Sequence, residues 1–299
     1  MKMKNKDILI TGASGNAGAE IIKKLHSKGI CPVAAGSSMD KLKKNPGNKA
    51  LHRKLDFYDS GTFDAALEGI NTVFLMRPPA ISKVKKHIFP FIDSCADKKT
   101  GHIVFLSLQG AEKNNIAPHS KIEKYIKKKK IPYTFLRPGF FMQNLSGIHR
   151  DEIKNKGEIY LPAGRGATSF IDVRDVAEAA VKCMLEKSHK NKAYELTGEK
   201  SLTYYEAAGI MSEILGRKIK YISASPFSFF FKKISEKKPA GYAFVMTSLY
   251  TICRLGLAGN VTDEFRKLTG KNPVTFRKFV IDNKEKWQSL QETDTCQPV

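Results

Sequence analysis

A strand–turn–helix segment near the start of the chain carries three evenly spaced glycines. Residues 8–22 read ILITGASGNAGAEII, with Gly12, Gly15 and Gly18 three residues apart. Glycine between a strand and a helix lets the backbone approach a pyrophosphate closely, and the helix N-terminus adds free N–H groups and positive potential. The spacing differs from G-x-G-x-x-G, and a plain tight turn is the alternative. The context, with a strand before and a helix after, favours nucleotide binding.

A second set of reactive side chains lies in the middle of the chain. Ser107 ends an apolar run, and His119 and Glu123 are four residues apart at the start of a helical pattern. Residues at this spacing share one helix face and can touch. An imidazole near a strand end can position a ligand oxygen or exchange a proton with it. The alternative is a histidine that only caps or orients the helix start.

Short apolar runs alternate with helical patterns and must position these residues. Strands are predicted at 7–10, 31–35, 50–55, 72–76, 102–107 and 133–136, helices at 17–26, 63–67, 85–96, 120–130, 204–215 and 241–257, and a strand-to-helix element at 169–184. This alternation predicts an α/β fold with a doubly wound parallel sheet covered on both faces. Ligands of such sheets bind at the carboxyl ends of the strands, where the candidate residues lie.

The composition indicates a globular protein with a strongly basic surface. Lys and Arg number 51 and Asp and Glu 29, a net charge of +22 spread along 299 residues. There is no Arg-rich arm and no zinc-finger spacing, so we expect a solvated lysine surface, no nucleic-acid partner and no metal. Five widely spaced cysteines without a C-x-x-C motif indicate a reduced, cytoplasmic protein. No secretory signal is evident, and residues 241–253 are too short and polar for a membrane span, so they are expected to form a buried or lid-like helix.

Several further stretches, together with TGASGNAG, resemble one known family. They are VFLMRPP (73–79), HIVFLSLQGAE (102–112), HSKIEKY (119–125), IPYTFLRPGFFMQNL (131–145), LPAGRGATSFIDVRDVAEAA (161–180), YELTGEKSLTYYEAA (194–208) and VTDEFRKLTGKNPVTFRKFV (261–280). They are similar to the NmrA-like branch of the atypical short-chain dehydrogenase/reductase superfamily. The resemblance covers nearly the whole chain and is more specific than the glycines alone.

The resemblance implies a Rossmann domain that binds NAD(P)(H) and a smaller C-terminal α/β part that covers the cleft. We expect the Rossmann domain over residues 1–150, with 168–190 returning to it, the covering subdomain over 191–290, and a disordered tail over 291–299. The family includes quinone and azo-compound reductases. It also includes members that bind the dinucleotide without turnover and act as redox-sensing regulators.

The predicted cofactor residues follow the strands of the Rossmann domain. They are Gly12, Ser14, Gly15, Asn16, Ala17, Gly18, Ser37, Ser38, Asp56, Phe57, Met76, Arg77, Pro78, Ser107, Pro138, Gly139 and Phe140. The resemblance places Asp56 and Phe57 beside the adenine, and core packing is the alternative for Phe57. An acceptor carboxylate suits the exocyclic amine of the base.

The end of the second strand bears on the choice between NAD(H) and NADP(H). Many relatives carry an arginine there for the 2′-phosphate, whereas this chain has Ser37 and Ser38, with Lys41, Lys43 and Lys44 beyond. Serines can hydrogen-bond a phosphate and lysines can screen it, so the residues favour NADP(H) over NAD(H). The alternative is that the serines only begin a turn.

The catalytic residues of better-known superfamily members are replaced in this chain. Tyr125 and Lys129 match Y-x-x-x-K, but Tyr125 lies more than a turn into its helix and the lysine run makes the match uninformative. His119 and Glu123 stand in place of the tyrosine and lysine and are the candidate catalytic residues. Asp172 is interpreted as a helix-start residue rather than a catalyst.

The segment that follows the sixth predicted strand supplies candidate substrate contacts. Pro138 and Gly139 allow a tight turn beside the nicotinamide. Phe141, Met142 and Asn144 are the candidate substrate-pocket residues, with core packing as the alternative for the apolar side chains.

These observations predict an NAD(P)H-dependent oxidoreductase that transfers a hydride to a quinone- or azo-type acceptor. Such acceptors need a hydride and protons that water can supply, so the lost tyrosine is tolerable for this chemistry. The alternative is a non-catalytic, NAD(P)-sensing regulator that acts through a protein partner. The sequence does not decide whether the protein forms a homo-oligomer.

Overall fold

The structure is a computed structural model that describes residues 7–43 and 50–288. The described residues divide into two compact units: unit 1 holds 7–43, 50–138, 173–196 and 264–271, and unit 2 holds 139–172, 197–263 and 272–288. Residues 139–150, expected in the Rossmann domain, thus lie in unit 2. Two segments return to unit 1: 173–196, where 168–190 was expected, and 264–271, which was expected in the covering subdomain. Lys44 and the predicted tail over 291–299 lie outside the described residues.

Twelve strands are present in the described part of the chain. In chain order they are β1 (Ile8–Thr11), β2 (Val33–Gly36), β3 (Leu51–Lys54), β4 (Thr72–Met76), β5 (His102–Leu106), β6 (Tyr133–Pro138), β7 (Phe140–Phe141), β8 (Glu158–Leu161), β9 (Ala167–Ile171), β10 (Lys192–Leu196), β11 (Ser201–Thr203) and β12 (Lys220–Ser223). The strands β1 to β6 overlap the six strands that the apolar runs predict. The short strand β7 was not predicted, because two phenylalanines do not make a periodic pattern.

Fourteen α-helices connect these strands in the described residues. They are α1 (Asn16–Ser27), α2 (Met39–Lys43), α3 (Phe63–Leu67), α4 (Val84–His87), α5 (Phe89–Asp97), α6 (Pro118–Lys128), α7 (Gln143–Ser146), α8 (Arg150–Lys156), α9 (Val173–Leu185), α10 (Tyr204–Leu215), α11 (Pro226–Ser235), α12 (Ala240–Arg254), α13 (Glu264–Thr269) and α14 (Phe276–Asp282). The single helix predicted over 85–96 is two helices, because Pro90 has no N–H to bond the carbonyl of Lys86.

Unit 1 is built on a seven-stranded parallel sheet. Its strand order is β10-β6-β5-β4-β1-β2-β3, and every neighbouring pair is parallel. The chain runs outward from β1 through β2 to β3, then returns to β4 on the other side of β1. This reversal is the topological switch point, where the carboxyl ends of the strands offer a ligand crevice. The sheet confirms the predicted doubly wound, Rossmann-type α/β fold.

The core of unit 1 explains why these runs form strands. The strands β1, β4 and β5 are buried on both faces, and their residues are apolar apart from Thr11, Thr72 and His102. Continuous burial of this kind requires helices on both sides of a parallel sheet. The helix α1 supplies one of them through Ile21, Ile22 and Leu25, which are all buried.

Unit 2 combines two small sheets with helices. One sheet has the order β11-β9-β7, with β7 parallel and β11 antiparallel to β9, and the other pairs β12 with β8 in parallel. The core is rich in aromatic side chains, including Tyr204, Phe229, Tyr250 and Trp287. The Trp287 indole N–H donates to the carbonyl of Leu145 at 3.0 Å. Aromatic packing therefore holds unit 2 together.

Two further structural observations limit the classes of site. Among the helices of residues 7–43 and 50–288, none is long and apolar enough to cross a bilayer. Within the same residues, no group of three or more His, Cys, Asp or Glu side chains is placed to hold a metal ion.

Candidate nucleotide and substrate site

The glycine turn between β1 and α1 has the geometry of a tight phosphate-binding turn. Gly12 has a φ of +63°, which glycine adopts without strain. A Cβ on Gly18 would lie 2.4 Å from the carbonyl oxygen of Gly12, so only glycine lets the helix pack this closely on the turn. The N–H of Gly15 donates to the same carbonyl at 2.9 Å. Each glycine therefore serves the turn in a different way.

The N-terminus of α1 is open to an anionic ligand. Gly15 is its N-cap and provides no side-chain cap, and the first turn holds no acidic residue. The first N–H groups of a helix need acceptors, which a pyrophosphate supplies. Ser14 and Asn16 are exposed beside them, whereas Ala17 and Gly18 are buried and face the core. The turn therefore fits a dinucleotide, and its backbone would hold the phosphates.

The end of β4 is tied to the end of β1. The Thr11 hydroxyl accepts a hydrogen bond from the Met76 N–H at 2.8 Å. The Met76 side chain lies over Gly12, since a Cβ there would come within 2.1 Å of its methyl carbon. These contacts bring the predicted cofactor residues Gly12 and Met76 together at the switch point.

Arg77 and Pro78 form a braced loop after β4. The Arg77 guanidinium donates through Nη1 to the carbonyls of Pro78, Pro79 and Ile81, at 3.1, 3.1 and 2.7 Å. Its buried Nε has no partner, and burial lowers the pKa of Arg77. Arg77 therefore fixes the loop and retains one unused donor.

The residues predicted to read the ribose and adenine are mostly engaged in local structure. Ser38 Oγ accepts from the Lys41 N–H at 3.4 Å at the start of α2, as a turn-forming serine does, while Ser37 is exposed. Asp56 Oδ1 accepts from the Tyr58 N–H at 3.0 Å. Phe57 is 7% exposed and packs edge-on against Phe91 with ring centroids 5.3 Å apart. Phe57 thus offers a base little more than a ring edge.

Ser107, Glu123 and Arg137 form a buried network at the ends of β5 and β6. The Ser107 hydroxyl donates to Glu123 Oε1 at 2.6 Å. Arg137 donates to both oxygens of Glu123, through Nε at 3.0 Å and Nη2 at 2.7 Å, and its Nη1 lies 3.0 Å from Glu112. Burial opposes the charge of Arg137, but the carboxylates of Glu123, Glu112 and Glu195 raise its pKa.

This network changes the interpretation of Glu123. The sequence pairs Glu123 with His119 as a catalytic residue, but no hydrogen bond in the described structure joins the two. A buried carboxylate that is held by a bidentate arginine and a serine is an anchor, because transferring a proton would break its pairing. Sequence reasoning missed Arg137 as its partner. The β5–β6 register, with Leu106 opposite Leu136, is the signal that sets Ser107 level with Arg137.

His119 stands apart from that network. Its ring lies 6.0 Å from the ring of Phe105, and its buried Nδ1 has no hydrogen-bond partner. Burial, with a smaller effect of the Arg77 charge, lowers the pKa of His119 to about 3. The imidazole is therefore neutral near pH 7. It can position a ligand atom, but it is not an imidazolium that could donate its additional proton.

Tyr125 and Lys129 do not form a catalytic pair. The Tyr125 hydroxyl donates to Asp93 Oδ1 at 2.8 Å, and Lys129 lies 2.5 Å from the same carboxylate. Tyr125 also stacks on Phe89, with centroids 3.7 Å apart. These contacts tie α6 to α5, and they support the interpretation of the Y-x-x-x-K match as fortuitous.

The predicted residues from Gly139 to Asn144 belong to unit 2. Pro138 is the last residue of β6 and belongs to unit 1, where its carbonyl accepts a hydrogen bond from the Gln109 N–H at 3.0 Å. A Cβ on Gly139 would lie 2.3 Å from the carbonyl oxygen of Ser169, so this glycine permits close packing on β9. Phe140 and Phe141 pair with Phe170 and Ile171 of β9. Gly139 and the pairing of β7 with β9 therefore serve the packing of unit 2.

A cavity of about 310 Å³ lies within unit 2. Its lining includes Met142, Phe170, Leu202 and Phe276, with Lys200 among the polar residues. Of the three predicted substrate residues, Met142 lines this cavity, whereas Phe141 and Asn144 are not among its lining residues. Its volume is at the lower end of the range for small-molecule sites.

Asp172 is fully buried directly before α9. Its Oδ1 accepts a hydrogen bond from Gln143 Nε2 at 2.9 Å. This contact supports its interpretation as a structural residue.

Together, the parallel sheet, the switch point and the glycine turn define a Rossmann-type α/β protein. The profile of the NmrA-like family matches residues 4–279. The chain therefore belongs to the NmrA-like family.

Three relatives show the range of proteins that the sequence resembles. Prestalk A differentiation protein A of Dictyostelium discoideum is 30% identical over 98% of this chain and 96% of its own length. Agroclavine dehydrogenase of Claviceps fusiformis is 30% identical over 94% and 98%. NAD(P)H azoreductase of Xenophilus azovorans is 28% identical over 91% and 96%.

Solved structures share the fold at lower identity. Citrobacter sp. triphenylmethane reductase with NADP(H) has a TM-score of 0.82 at 23% identity, covering 92% of this chain and 99% of its own. An NADPH-dependent quinone oxidoreductase of Escherichia coli has a TM-score of 0.80 at 24% identity, over 91% and 98%. The negative transcriptional regulator NmrA with NADP has a TM-score of 0.72 at 17% identity, over 93% and 95%.

Proposed function

We propose that the protein binds NADP(H) and reduces a flat, conjugated acceptor of the quinone or azo type. The observation that carries the proposal is the glycine turn at the switch point, with an uncapped helix N-terminus beside it. Relatives named as an NAD(P)H azoreductase and a dehydrogenase, similar over more than nine-tenths of the chain, support an oxidoreductase.

The preference for NADP(H) rests on charge at the end of β2. Ser37 is exposed, Lys41 and Lys43 lie on the exposed side of α2, and Asp40 is the first acidic residue after the strand. Exposed lysines favour a ligand with the additional 2′-phosphate. Two of the structural neighbours are described with NADP(H) or NADP, which agrees with this proposal.

When bound, the reduced cofactor supplies a hydride, that is, one proton together with two electrons. A quinone that takes up this hydride and one proton becomes a hydroquinone, and an azo group becomes a hydrazine. Glu123 is held by Arg137 and Ser107, so we propose that the proton comes from water. We propose that His119, which is neutral and has a buried Nδ1 without a partner, orients the acceptor or the cofactor by its position and not by proton transfer. The protein thus contributes mainly positioning.

Acceptor-dependent oxidation of NADPH tests the proposal. NADPH absorbance is followed with menadione, a second quinone and an azo dye, each with and without protein, and the series is repeated with NADH. The proposal expects oxidation that requires both protein and acceptor and is faster with NADPH. A clear NADH preference would overturn the cofactor assignment.

A dinucleotide-sensing regulator is the second candidate. It is favoured by the hydrogen bonds that Ser107 and Arg137 both donate to Glu123, which leave no free acid–base pair among these three residues. It is also favoured by the likeness in fold to a transcriptional regulator described with NADP. Tight NADPH binding without oxidation by any of the three acceptors would select this candidate.

A further inference from the structure

The helices α11 and α12 of unit 2 expose large apolar side chains. Phe227, Phe231 and Ile234 of α11 and Phe244, Leu249 and Ile252 of α12 form what we call the hairpin patch. The three phenylalanines are 78%, 64% and 66% exposed in that order. Scattered exposed apolar residues are ordinary on protein surfaces, but a set this large on two packed helices indicates a binding surface.

The patch follows the helical repeat of both helices. On α11, the three residues are spaced i, i+4 and i+7, and the buried Phe229 and Lys233 lie on the opposite side. On α12, the exposed residues occupy the side opposite Ala243, Met246, Tyr250 and Cys253, which are buried. Each helix is therefore apolar on its outward side as well as on its core side.

The charges near the patch are almost all positive. Lys237 and Lys238 are exposed in the connection between the helices, and neither has an ion-pair partner among the described residues. Glu236, the one acidic residue between Ser225 and Val261, lies 2.8 Å from Lys233 and is neutralised by it. Residues 240–253 carry no charge at all. The surface is thus apolar, edged by unpaired ammonium groups.

We propose that the hairpin patch docks the protein on the surface of an anionic lipid bilayer. The phenylalanines would enter the boundary between headgroups and acyl chains, and Lys237 and Lys238 would meet the lipid phosphates. Apolar residues on one side, basic residues beside them and few acids are what interfacial helices combine. The 15-residue helix α12 would lie along the surface, since it is too short to span the bilayer.

A second copy of the chain fits this surface less well. The net charge of +22 opposes self-association, and the hairpin offers no free carboxylate to meet the lysines of another copy. An anionic bilayer provides both an apolar phase and compensating charge. The proposal concerns a binding surface and does not depend on the reductase function.

Vesicle flotation tests the proposal with the full chain. Vesicles of phosphatidylcholine, with and without phosphatidylglycerol, are mixed with the wild type and floated on a density gradient. We expect binding to the anionic vesicles that is at least about tenfold stronger than to the neutral ones and that weakens with salt. The double variant Phe227→Ser, Phe244→Ser should bind the anionic vesicles at least about tenfold less.

The controls separate docking from non-specific adsorption. The matched variant Tyr58→Ser, Ile116→Ser removes two exposed apolar side chains of unit 1, which are 62% and 81% exposed, and should float like the wild type. NADPH binding of each variant reports folding and the cofactor site separately from docking. Failure to bind anionic vesicles, or equal binding by the Phe227→Ser, Phe244→Ser variant, would overturn the proposal. A dimer that this variant abolishes, without vesicle binding, would identify a second copy as the occupant.

Discussion

At the scale of single residues, the role of Glu123 depends on which side chain it bonds. The helical spacing brings His119 and Glu123 to one face of α6, and this much is visible in the sequence. Arg137, on strand β6, donates hydrogen bonds to both carboxylate oxygens of Glu123. A pairing across elements depends on sheet register and helix placement, so local spacing did not reveal it. His119 is left with an unpartnered nitrogen and a lowered pKa.

The buried pair predicts a large loss of stability when its charge is removed. Glu123→Gln removes the buried carboxylate that Arg137 bonds twice and leaves the half-buried guanidinium beside Glu112 and Glu195, so we expect a loss of about 2–4 kcal/mol in the free energy of unfolding. Urea titration measures it. Glu213→Gln is the matched control, because Glu213 holds Arg277 through two hydrogen bonds on an exposed surface. It should cost no more than about 1 kcal/mol, and equal losses for the two variants would contradict the anchor role.

At the scale of elements, the sequence predicts regular pieces well and irregular ones poorly. The helices at 63–67 and 204–215 and the strand at 72–76 have the predicted bounds. Their apolar periods and terminal glycines are local signals, and burial reinforces them. The helix α11 was not predicted from SPFSFFFKK, although Ser225 caps it and Pro226 begins it. A run of phenylalanines conceals the helical period, and the burial of Phe229 is set by tertiary packing.

The glycine turn predicts a stability effect of its own. In Gly18→Ala, the new Cβ would lie 2.4 Å from the Gly12 carbonyl oxygen and 2.8 Å from Ala13 Cα. Since backbone must move, we expect a loss of about 1–3 kcal/mol in the free energy of unfolding. Gly209→Ala in α10 is the control, because a Cβ there meets nothing within 4 Å. It should stabilise by about 0.5–1 kcal/mol, and the same sign for both changes would refute the close approach in the turn.

At the scale of the whole molecule, buried histidines couple folding to pH. Burial, aided by the charges of Lys233 and Lys232, lowers the pKa of His149 to about 3. Burial also lowers the pKa of His102 to about 4 and that of His119 to about 3. The unfolded chain binds these protons near pH 6.5 and the folded chain does not, so stability falls as the pH drops below about 6.5. Above that pH, these groups are neutral in both states.

A single substitution isolates one of these protons. His149 Nε2 lies 2.6 Å from the Tyr250 hydroxyl, a contact that Gln can replace. In His149→Gln, the slope of unfolding free energy against pH between about 6 and 4.5 should decrease by up to about 1.4 kcal/mol per pH unit. Urea titrations over this range measure the slope, which is independent of any constant loss of stability. An unchanged slope would contradict a neutral, buried His149.

The sequence predicts the architecture of the whole molecule and only part of the candidate site. The alternation of strands and helices predicted the parallel sheet, and the quoted motifs predicted the family, because both depend on patterns along the chain. The assignment of residues 139–150 to unit 2 and the exposure of the hairpin patch depend on packing between distant segments. No local pattern carries that information.

The Gly15→Asp variant tests most directly whether the glycine turn holds the cofactor. Gly15 has ordinary backbone angles, φ −89° and ψ 169°, at the N-cap of α1, where Asp is a favourable residue. Its Cβ would lie 3.3 Å from the Gly12 carbonyl oxygen, a tight contact, so a urea titration of the variant accompanies the binding measurement. Its carboxylate would occupy the helix N–H groups and repel the phosphates. We predict NADPH binding at least about 100-fold weaker than wild type by calorimetric titration, with loss of acceptor-dependent oxidation. Gly209→Asp in α10 should bind like the wild type, and unchanged NADPH affinity in Gly15→Asp would show that the glycine turn does not hold the cofactor.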